Sequence, residues 1–401
     1  MTRTAHSALA EHLAALPVVS THEHHREDAF HADLDLDKLF ANSYVGWINP
    51  LPGPIRDRAR FLDAVGHSAY FRWLERGLRH IYGVGPITPE TWDAVSEAIR
   101  QAHVSSPTWH VALMRRFGHY RRAIQDSYWA PGSAAGHPDF FAPTFRINCY
   151  VLCHHPLMTD HNGNSPWQRH DLAGLDFDAY LLLLDQVVAE QKQAGAVALK
   201  SALAYDRDLA FTSGDRETAA RVFGAHPNAV SDADRRAYQD FLLHHLCELA
   251  ARHDLPFQHH TGLAKLSGSR PLNLEPTIAR HPQTRFVLFH GGFPWVHEIG
   301  GLLHHYRNVY PDLTWLPLIA PTAAIRAVRE WLELGNGAAN LCWGGDAWTG
   351  DESVGAALAL KHVLSVALGQ LVEEGSLGLE EARRIAGQVC HENAARIYGL
   401  G

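Results

Sequence analysis

Two histidines, His22 and His24, end the first apolar run of the chain, PVVSTHEHH. In an extended strand successive side chains point to opposite faces, so His22 and His24 project together while Glu23 and His25 point the other way. A strand that ends in this manner presents two imidazoles to one metal ion. The chain holds 29 histidines, and a His-x-His spacing arises easily by chance in that composition, so its meaning depends on the residues later in the chain.

Titratable residues also end several later apolar segments. They are Lys200 in VALKS, His260 in FQHHTG, His290 in FHGG and Asp346 in WGGD. Polar Gln258 shares a strand face with His260, so we expect His260 to face the interior and His259 to face the outer layer. In a (β/α)₈ barrel the reactive groups lie at the carboxyl ends of the strands. The pattern therefore predicts that these side chains form one cluster.

Eight apolar segments have the character of β-strands and would position this cluster. Counted from Val18 they lie at 18–24, 120–128, 144–152, 196–203, 255–260, 285–290, 309–315 and 340–343. Amphipathic stretches with helical spacing, such as 177–193 and 379–398, alternate with them. This alternation predicts an α/β fold, a (β/α)₈ TIM-type barrel, although counting alone leaves a doubly wound sheet open.

Three segments are predicted along the chain. Residues 1–25 form an N-terminal helix and the first barrel strand, and residues 119–401 form the remainder of the barrel. Residues 26–118 carry helical spacing without a strand signal of comparable quality, so they predict a helical insertion after strand one.

Composition restricts the class of protein. The chain has 401 residues, 46% of them apolar and 19% charged, with a net charge of −8 and no long basic run. A compact globular chain whose partner is a small-molecule substrate fits these values better than a protein that binds nucleic acid or an anionic membrane. An assembly of identical chains is left open.

The compartment is predicted from the cysteines and the N-terminus. Five dispersed cysteines, an odd number, indicate reduced thiols and a cytoplasmic protein. The first residues lack the unbroken apolar core of a signal peptide, and no stretch is expected to be long and apolar enough to cross a bilayer.

The order of these residues resembles the amidohydrolase superfamily of metal-dependent barrel enzymes. The resemblance is carried by FQHHTGL, FVLFHGGFPW, LCWGGDAW and ENAARIYGL, and also by STHEHH and ALKSALAY. Within the superfamily the chain is most similar to the amidohydrolase-2 branch, near FluG-type amidohydrolase domains and the uronate isomerases. Residues 26–118 carry no matching motif.

The resemblance implies a role for each matched residue. His22, His24 and Asp346 would bind a divalent metal, with Asp346 also orienting or deprotonating water. His260 would be a further ligand, and His290 would polarise the substrate. Lys200 stands where some members carry a carboxylated lysine between two metals, so one or two ions are implied.

The chemistry of these residue types agrees with that implication. Imidazole nitrogens and a carboxylate suit Zn²⁺, which activates water for attack on a carbonyl group. A metal-dependent hydrolase of an amide, lactone or related substrate is therefore the leading hypothesis. The alternatives are a uronate isomerase or decarboxylase on the same scaffold, or a metal-binding domain without activity. Four rim residues are candidate substrate contacts: Tyr205, His25, His297 and Trp348.

Overall fold

The structure is a computed structural model that describes residues 4–51, 53–335 and 337–400. Residues 1–3 and 401, at the outer ends of the predicted first and last segments, lie outside the described residues.

Seven parallel strands form one sheet in which each strand pairs with the next along the chain. They are β1 (Val18–Glu23), β2 (Tyr120–Gln125), β3 (Phe141–Arg146), β4 (Ala198–Ser201), β5 (Phe257–His259), β6 (Phe286–Leu288) and β7 (Val309–Pro311). Every residue of β1 and β3 is buried, as expected for a parallel sheet covered on both faces.

The predicted eighth strand, 340–343, closes the barrel without forming a regular strand. Only Cys342 makes a bridge, on the β7 side. Its carbonyl oxygen accepts a hydrogen bond of 2.9 Å from the Leu313 amide, and the Trp343 carbonyl oxygen accepts one of 2.9 Å from the Thr21 amide. This short segment therefore joins β7 to β1, and the fold is the TIM-type barrel that the sequence predicts.

Between β1 and β2, the described residues form helices and connecting loops. The helices are Asp28–His31, Leu36–Ala41, Tyr44–Trp47, Arg58–Val65, Ala69–Tyr82, Trp92–Ser105 and Trp109–Leu113, followed by a π-helical turn at Met114–Gly118. They have a core of their own, in which Phe40, Phe61 and Trp92 pack together.

Close contact between two helices fixes this helical region on the barrel. A Cβ atom on Gly77 would lie 2.9 Å from the backbone nitrogen of Gly355, so only glycine allows the two backbones to approach so closely. Gly355 belongs to the long helix that follows the eighth segment. The helical region is thereby held beside the carboxyl ends of the strands.

The remaining helices surround the barrel. They are Ala5–Ala15, Asn148–Leu152, Pro166–Arg169, Phe177–Gln193, Arg216–Val222, Asp232–Arg252, Glu275–Arg280, Val296–His305, Leu316–Ile319, Pro321–Leu332, Gly337–Asn340, Gly350–Glu373, Leu379–Gly387 and Asn393–Tyr398. Contrary to the expectation from sequence, the helix Gly350–Glu373 is long and apolar enough to cross a membrane, but 78% of its most apolar window is buried inside the fold.

The predicted third strand, 144–152, is displaced in the structure. The strand is Phe141–Arg146, and the second half of the predicted segment is the short helix Asn148–Leu152. All five residues of that helix are buried. A continuous apolar run looks the same in a buried strand and in a buried helix, so the pattern could not place this boundary.

Candidate functional site

The imidazoles of His22 and His24 converge on one carboxylate oxygen at the mouth of the barrel. Asp346 Oδ1 lies 3.3 Å from His22 Nε2 and 3.1 Å from His24 Nε2. All three side chains are buried. Strand alternation puts the two histidines on one face, and the eighth segment brings the carboxylate to them.

Two glycines allow Asp346 to approach β1. A Cβ atom on Gly344 would lie 2.7 Å from the backbone nitrogen of His22, and one on Gly345 would lie 2.4 Å from Glu23 Oε1. Asp346 itself has a left-handed backbone, with a φ of 60°. Such a conformation is unfavourable for a residue with a side chain and is concentrated at functional sites.

The hydrogen bond of His24 Nδ1 directs Nε2 towards Asp346. His24 Nδ1 lies 2.7 Å from the backbone carbonyl oxygen of Asp126, which only accepts, so Nδ1 carries a hydrogen. Nε2 then faces Asp346 Oδ1 at 3.1 Å. A cation shared by these two atoms, either a proton or a metal ion, satisfies both of them.

His22 completes a donor set that fits a metal ion. Its Nδ1 is buried and has no hydrogen-bond partner among the described residues. Burial, together with the charge of Lys200, holds the pKa of His22 well below its usual range, so the ring is neutral near pH 7. Two imidazoles with the carboxylate of Asp346 are ligands that Zn²⁺ and similar divalent ions prefer.

A buried ion pair borders this triad. Arg146 donates from Nε and Nη2 to the two carboxylate oxygens of Asp126, over 3.1 and 2.5 Å. Burial tends to raise the pKa of Asp126, but the Arg146 charge outweighs it and lowers that pKa to about 2. Asp126 Oδ2 also lies 3.9 Å from His22 Nε2. Asp126 thus neutralises Arg146 with its side chain and orients His24 with its backbone.

Lys200 points into the same cavity without an acceptor. Its Nζ is buried, has no hydrogen-bond partner among the residues that the structure describes, and lies 3.8 Å from the centre of the Phe289 ring. The register of β3 and β4 places it beside Arg146. Burial lowers the pKa of Lys200 to about 7, although the charge of Asp126 opposes the change. The side chain therefore exchanges between ammonium and amine near neutral pH.

His260 and His290 form a hydrogen-bonded pair. His290 Nε2 lies 2.8 Å from His260 Nδ1, and His260 Nε2 lies 2.9 Å from the Leu263 carbonyl oxygen. At the other end, His290 Nδ1 lies 3.3 Å from the Thr314 carbonyl oxygen and 3.7 Å from Asp346 Oδ2.

Two neutral rings carry one N–H hydrogen each, whereas the contacts of His260 and His290 can use three. The hydrogen of His260 lies on Nε2 and is donated to the Leu263 carbonyl oxygen, and the hydrogen of His290 lies on Nε2 and is donated to His260 Nδ1. His290 Nδ1 then carries no hydrogen, although acceptor oxygens surround it. A third proton at Nδ1 would satisfy every contact and would lie beside the Asp346 carboxylate. Burial nevertheless holds the pKa of both His260 and His290 well below its usual range, so the pair rests in its neutral form.

Aromatic side chains enclose the site. The cavity has a volume of about 40 Å³ and is lined by His22, His24, His260, Asp346, Lys200, Arg146, Tyr44, Trp47, Tyr205, Trp315 and Trp348. The Tyr44 ring stacks on Trp315 with ring centres 4.5 Å apart. Trp47 is 61% exposed and forms the outer wall. A cavity of this volume has space for little more than a water molecule, so a substrate must displace some of the aromatic side chains that cover the site.

Tyr44 reaches the carboxylate from the helical region. Burial, then the charge of Asp346 and a hydrogen bond to it, hold the pKa of Tyr44 well above its usual range. The Tyr44 amide also donates over 3.0 Å to Glu352 Oε1, in the helix after the eighth segment. The region between β1 and β2 thus supplies a polar group to the site as well as its cover.

The structure brings most of the predicted site residues together. His22, His24, Lys200, His260, Asp346, Tyr205 and Trp348 line the cavity, and His290 lies behind His260. His260 is turned towards His290 rather than towards the first two histidines.

Two predicted substrate contacts lie elsewhere. His25 is buried on the opposite face of β1, where its Nε2 lies 2.9 Å from Ser353 Oγ. His297 is 77% exposed and pairs with Glu330 on the outer surface. Neither lines the cavity, because strand alternation turns His25 away and the helix Val296–His305 carries His297 outward.

Sequence reasoning did not single out five side chains of the site: Asp126, Arg146, Tyr44, Trp47 and Trp315. Asp126 directly follows β2 and Arg146 ends β3, so both obey the rule that identified the other polar strand ends. No comparable pattern marks Tyr44, which arrives from a helix.

A larger cavity lies within the helical region. Its volume is about 780 Å³, and its walls include Asp37, Lys38, Phe40 and Phe61. Among the described residues, its lining contains no histidine and no converging set of metal ligands. We therefore place the functional site at the smaller cavity, where the titratable groups meet.

Sequence comparison identifies two matches. A family model described as amidohydrolase matches residues 161–400. The protein FluG of Emericella nidulans is 25% identical over 261 residues, which cover 60% of this chain and 30% of FluG. The chain thus spans less than a third of the length of this relative.

Comparison of structures identifies barrels of the same fold. A uronate isomerase from Thermotoga maritima superposes with a TM-score of 0.76 at 16% identity, covering 98% of this chain and 97% of the isomerase. A structure from Lactobacillus casei, described as a metal-dependent hydrolase, gives a TM-score of 0.72 at 16% identity with the same coverage. A glucuronate isomerase from Caulobacter crescentus gives 0.76 at 14% identity, with coverage of 99% and 94%. At these identities the likeness concerns the fold.

Proposed function

The chain belongs to the amidohydrolase family, and on that premise we propose that it is a metal-dependent hydrolase of a small amide, lactone or related carbonyl substrate. The proposal rests on the convergence of His22 Nε2 and His24 Nε2 on Asp346 Oδ1, at 3.3 and 3.1 Å. These three groups are donors that a divalent ion prefers, and they share a cavity with a lysine and a histidine pair.

His22, His24 and Asp346 would hold one divalent ion, and zinc suits this donor set. The ion would supply Lewis acidity, which acidifies water and polarises a carbonyl group. A second ion would need His260 and His290, which would have to give up the hydrogen bond between their rings and the one from His260 to a backbone carbonyl oxygen. We therefore propose a one-ion site in which Lys200 is an unmodified lysine rather than a carboxylated bridge.

Asp346 is the base of the proposed reaction. Its carboxylate can accept a proton from water at Oδ2, the oxygen that faces His290 Nδ1. The His290–His260 pair has room for that proton and can return it to the leaving group. Tyr44 donates to the same carboxylate and holds it in position.

Lys200 is the proposed anchor for a substrate oxygen. An ammonium without a partner in a closed cavity is stabilised when it meets an anionic or carbonyl oxygen. Arg146 is already paired with Asp126, so Lys200 is the cation in this cavity that remains open to a substrate. The aromatic residues around it exclude water and contact the apolar surface of the substrate.

A reducing compartment suits the chain. All five cysteines are free and buried, which is the usage of a cytoplasmic enzyme.

The test is turnover of a substrate panel in water enriched in oxygen-18. The zinc-loaded protein would be offered amides, lactones and uronates. We expect one oxygen-18 atom in the carboxylate produced from an amide or lactone, since hydrolysis adds water. Turnover restricted to uronates, without oxygen-18 in a newly formed carboxylate, would overturn the proposal in favour of isomerisation. Binding of zinc without turnover of any member would favour a metal-binding domain.

A further inference from the structure

Three buried histidines form a second cluster, behind β1 and away from the cavity. His25 follows β1, His31 ends the helix Asp28–His31, and His110 lies in the helix Trp109–Leu113. All three are fully buried. The rings of His31 and His110 stack with centres 3.9 Å apart, and the His25 ring lies 6.1 and 5.9 Å from them.

Each of these rings donates from Nε2 to a different acceptor. His110 Nε2 lies 2.8 Å from Asp28 Oδ1, and His31 Nε2 lies 3.2 Å from the Arg26 carbonyl oxygen. Both acceptors lack a hydrogen of their own, so the ring nitrogen is the donor.

His25 follows the same pattern. Its Nε2 lies 2.9 Å from Ser353 Oγ. The serine hydroxyl lies 3.1 Å from both Glu23 Oε2 and the Thr349 carbonyl oxygen. Because the hydroxyl donates to one of these oxygens, it accepts from His25.

The other nitrogen of each ring is a buried lone pair without a partner. The Nδ1 atoms of His25, His31 and His110 have no hydrogen-bond partner among the described residues and are shielded from solvent. One ring nitrogen from each of the three histidines lies within 4.8 Å of one from each of the others. Burial also lowers the pKa of His31 to about 3 and that of His110 to about 4, so both rings stay neutral.

We propose that His25, His31 and His110 bind a second divalent transition-metal ion of the zinc class through their Nδ1 atoms. The His31 and His110 rings, which are within 11° of parallel, tilt out of their stack so that both in-plane lone pairs reach the ion. Three neutral imidazoles suit such an ion. Ligating histidines commonly donate their other ring nitrogen to a carboxylate or a backbone carbonyl, as His110 and His31 do here. Asp28, whose side chain is 38% exposed, supplies negative charge beside His110.

The second ion would act as a structural link. It would join the end of β1 to two helices of the region between β1 and β2. That region carries Tyr44 to the barrel mouth, so the ion would hold the cover of the catalytic cavity without touching the cavity. This role does not depend on the proposed hydrolase reaction.

The test counts metal per chain. Protein stripped with chelator would be reloaded with Zn²⁺, freed of excess ion and analysed by mass spectrometry of the metal. We expect two equivalents in the wild type, one in His31→Phe, one in His22→Asn and none in the double variant. Phe at position 31 keeps the ring that stacks on His110 while removing the nitrogen.

Controls separate metal binding from damage to the fold. His154 is also fully buried, and both its ring nitrogens are without a partner among the described residues, but it lies outside the cluster. His154→Phe should therefore keep two equivalents. His110→Gln is the second variant of the cluster, and circular dichroism checks that each variant is folded. Zinc should raise the melting temperature of His22→Asn but not that of the double variant.

Each possible metal count supports or overturns the proposal of a second site. Equal metal content in the wild type, His31→Phe and His110→Gln overturns it. If the wild type binds one equivalent and His22→Asn binds none, the second site is also overturned, while the site at the barrel mouth is supported. If the wild type binds one equivalent and His31→Phe binds none, the second site is supported and the metal site of the proposed hydrolase is overturned.

Discussion

Replacing Lys200 with methionine should stabilise the metal-free protein while abolishing its activity. Lys200 is 1% exposed, and its Nζ has no hydrogen-bond partner in the described part of the chain. Methionine has a similar length and no charge, so it can occupy the same space beside Phe289 with little repacking. The substitution removes the ammonium that we assign to substrate binding.

The depressed pKa of Lys200 sets the size of the expected gain in stability. Burial lowers this pKa from 10.5 to about 7, and each pH unit corresponds to about 1.4 kcal/mol, so the buried lysine costs up to about 5 kcal/mol. Loss of the contact between the ammonium and the Phe289 ring returns roughly 1 kcal/mol of this. We expect a net gain of about 2–4 kcal/mol in the free energy of unfolding at pH 7, or roughly 2–5 °C in melting temperature for a chain of this length.

The gain should depend on pH in a defined direction. Between pH 7 and 10.5 the unfolded lysine binds a proton that the folded lysine does not, so the wild type becomes more stable as pH rises. The cost is fully present below pH 7 and disappears above 10.5. The advantage of Lys200→Met should therefore be about 2–3 kcal/mol smaller at pH 9 than at pH 6.

Urea unfolding of chelator-treated protein at pH 6, 7, 8 and 9 measures this difference. Lys265→Met, at an exposed lysine, is the matched control and should change stability by less than about 0.5 kcal/mol at every pH. A variant that is less stable than the wild type at pH 6, or a difference that does not vary with pH, would refute the assignment of Lys200 as a desolvated lysine with a depressed pKa.

Three further substitutions test the site. Asp346→Asn should lose zinc and lower kcat/KM by at least about 10²-fold, as metal analysis and turnover would report; retained zinc and activity would contradict this. His260→Asn should lower kcat about 10²-fold or more and alter the pH profile, whereas His259→Asn, at a buried histidine packed against Phe257, should change neither; equal effects would remove the role of the histidine pair. Tyr44→Phe should lower kcat about tenfold with unchanged zinc content, and unchanged kinetics would show that Tyr44 only covers the site.

The sequence was sufficient to predict the barrel because its strands are buried apolar runs that alternate with helices. Val18–Glu23 and the helix Phe177–Gln193 lie where the pattern places them. The eighth segment, 340–343, shows what hydrophobic periodicity cannot predict. It closes the barrel through hydrogen bonds to the segments on either side of it and not through an extended strand of its own. The hydrogen-bond partners that determine where a strand ends are not recorded in the periodicity.

The members of the polar cluster that lie at strand ends were predictable from the sequence. Asp126 and Arg146 also lie at strand ends, but the strand before Asp126 was predicted three residues too long, and the strand that ends at Arg146 was predicted too late in the chain. Both residues therefore fell inside predicted strands and were missed. Tyr44 could not be found from strand ends. Its position depends on the contact of Gly77 with Gly355, two residues 278 positions apart in sequence, and helical periodicity carries no information on such a contact.

The alternation of β1 has a consequence for both of its faces. Glu23 lies between His22 and His24 in sequence and points to the opposite side. The register of β1 shifts between Ser20 and Glu23, and these two side chains meet on that side. Ser20 Oγ donates to Glu23 Oε1 over 2.8 Å, and the Ala347 amide donates to Glu23 Oε2 over 3.0 Å. Burial raises the pKa of Glu23 to about 8, so its carboxyl group is largely uncharged at pH 7. Through these bonds Glu23 fixes the register of β1 against the segment that carries Asp346. A shift by one residue would exchange the two faces of the strand, and it would therefore disrupt the triad at the barrel mouth and the histidine cluster behind it together.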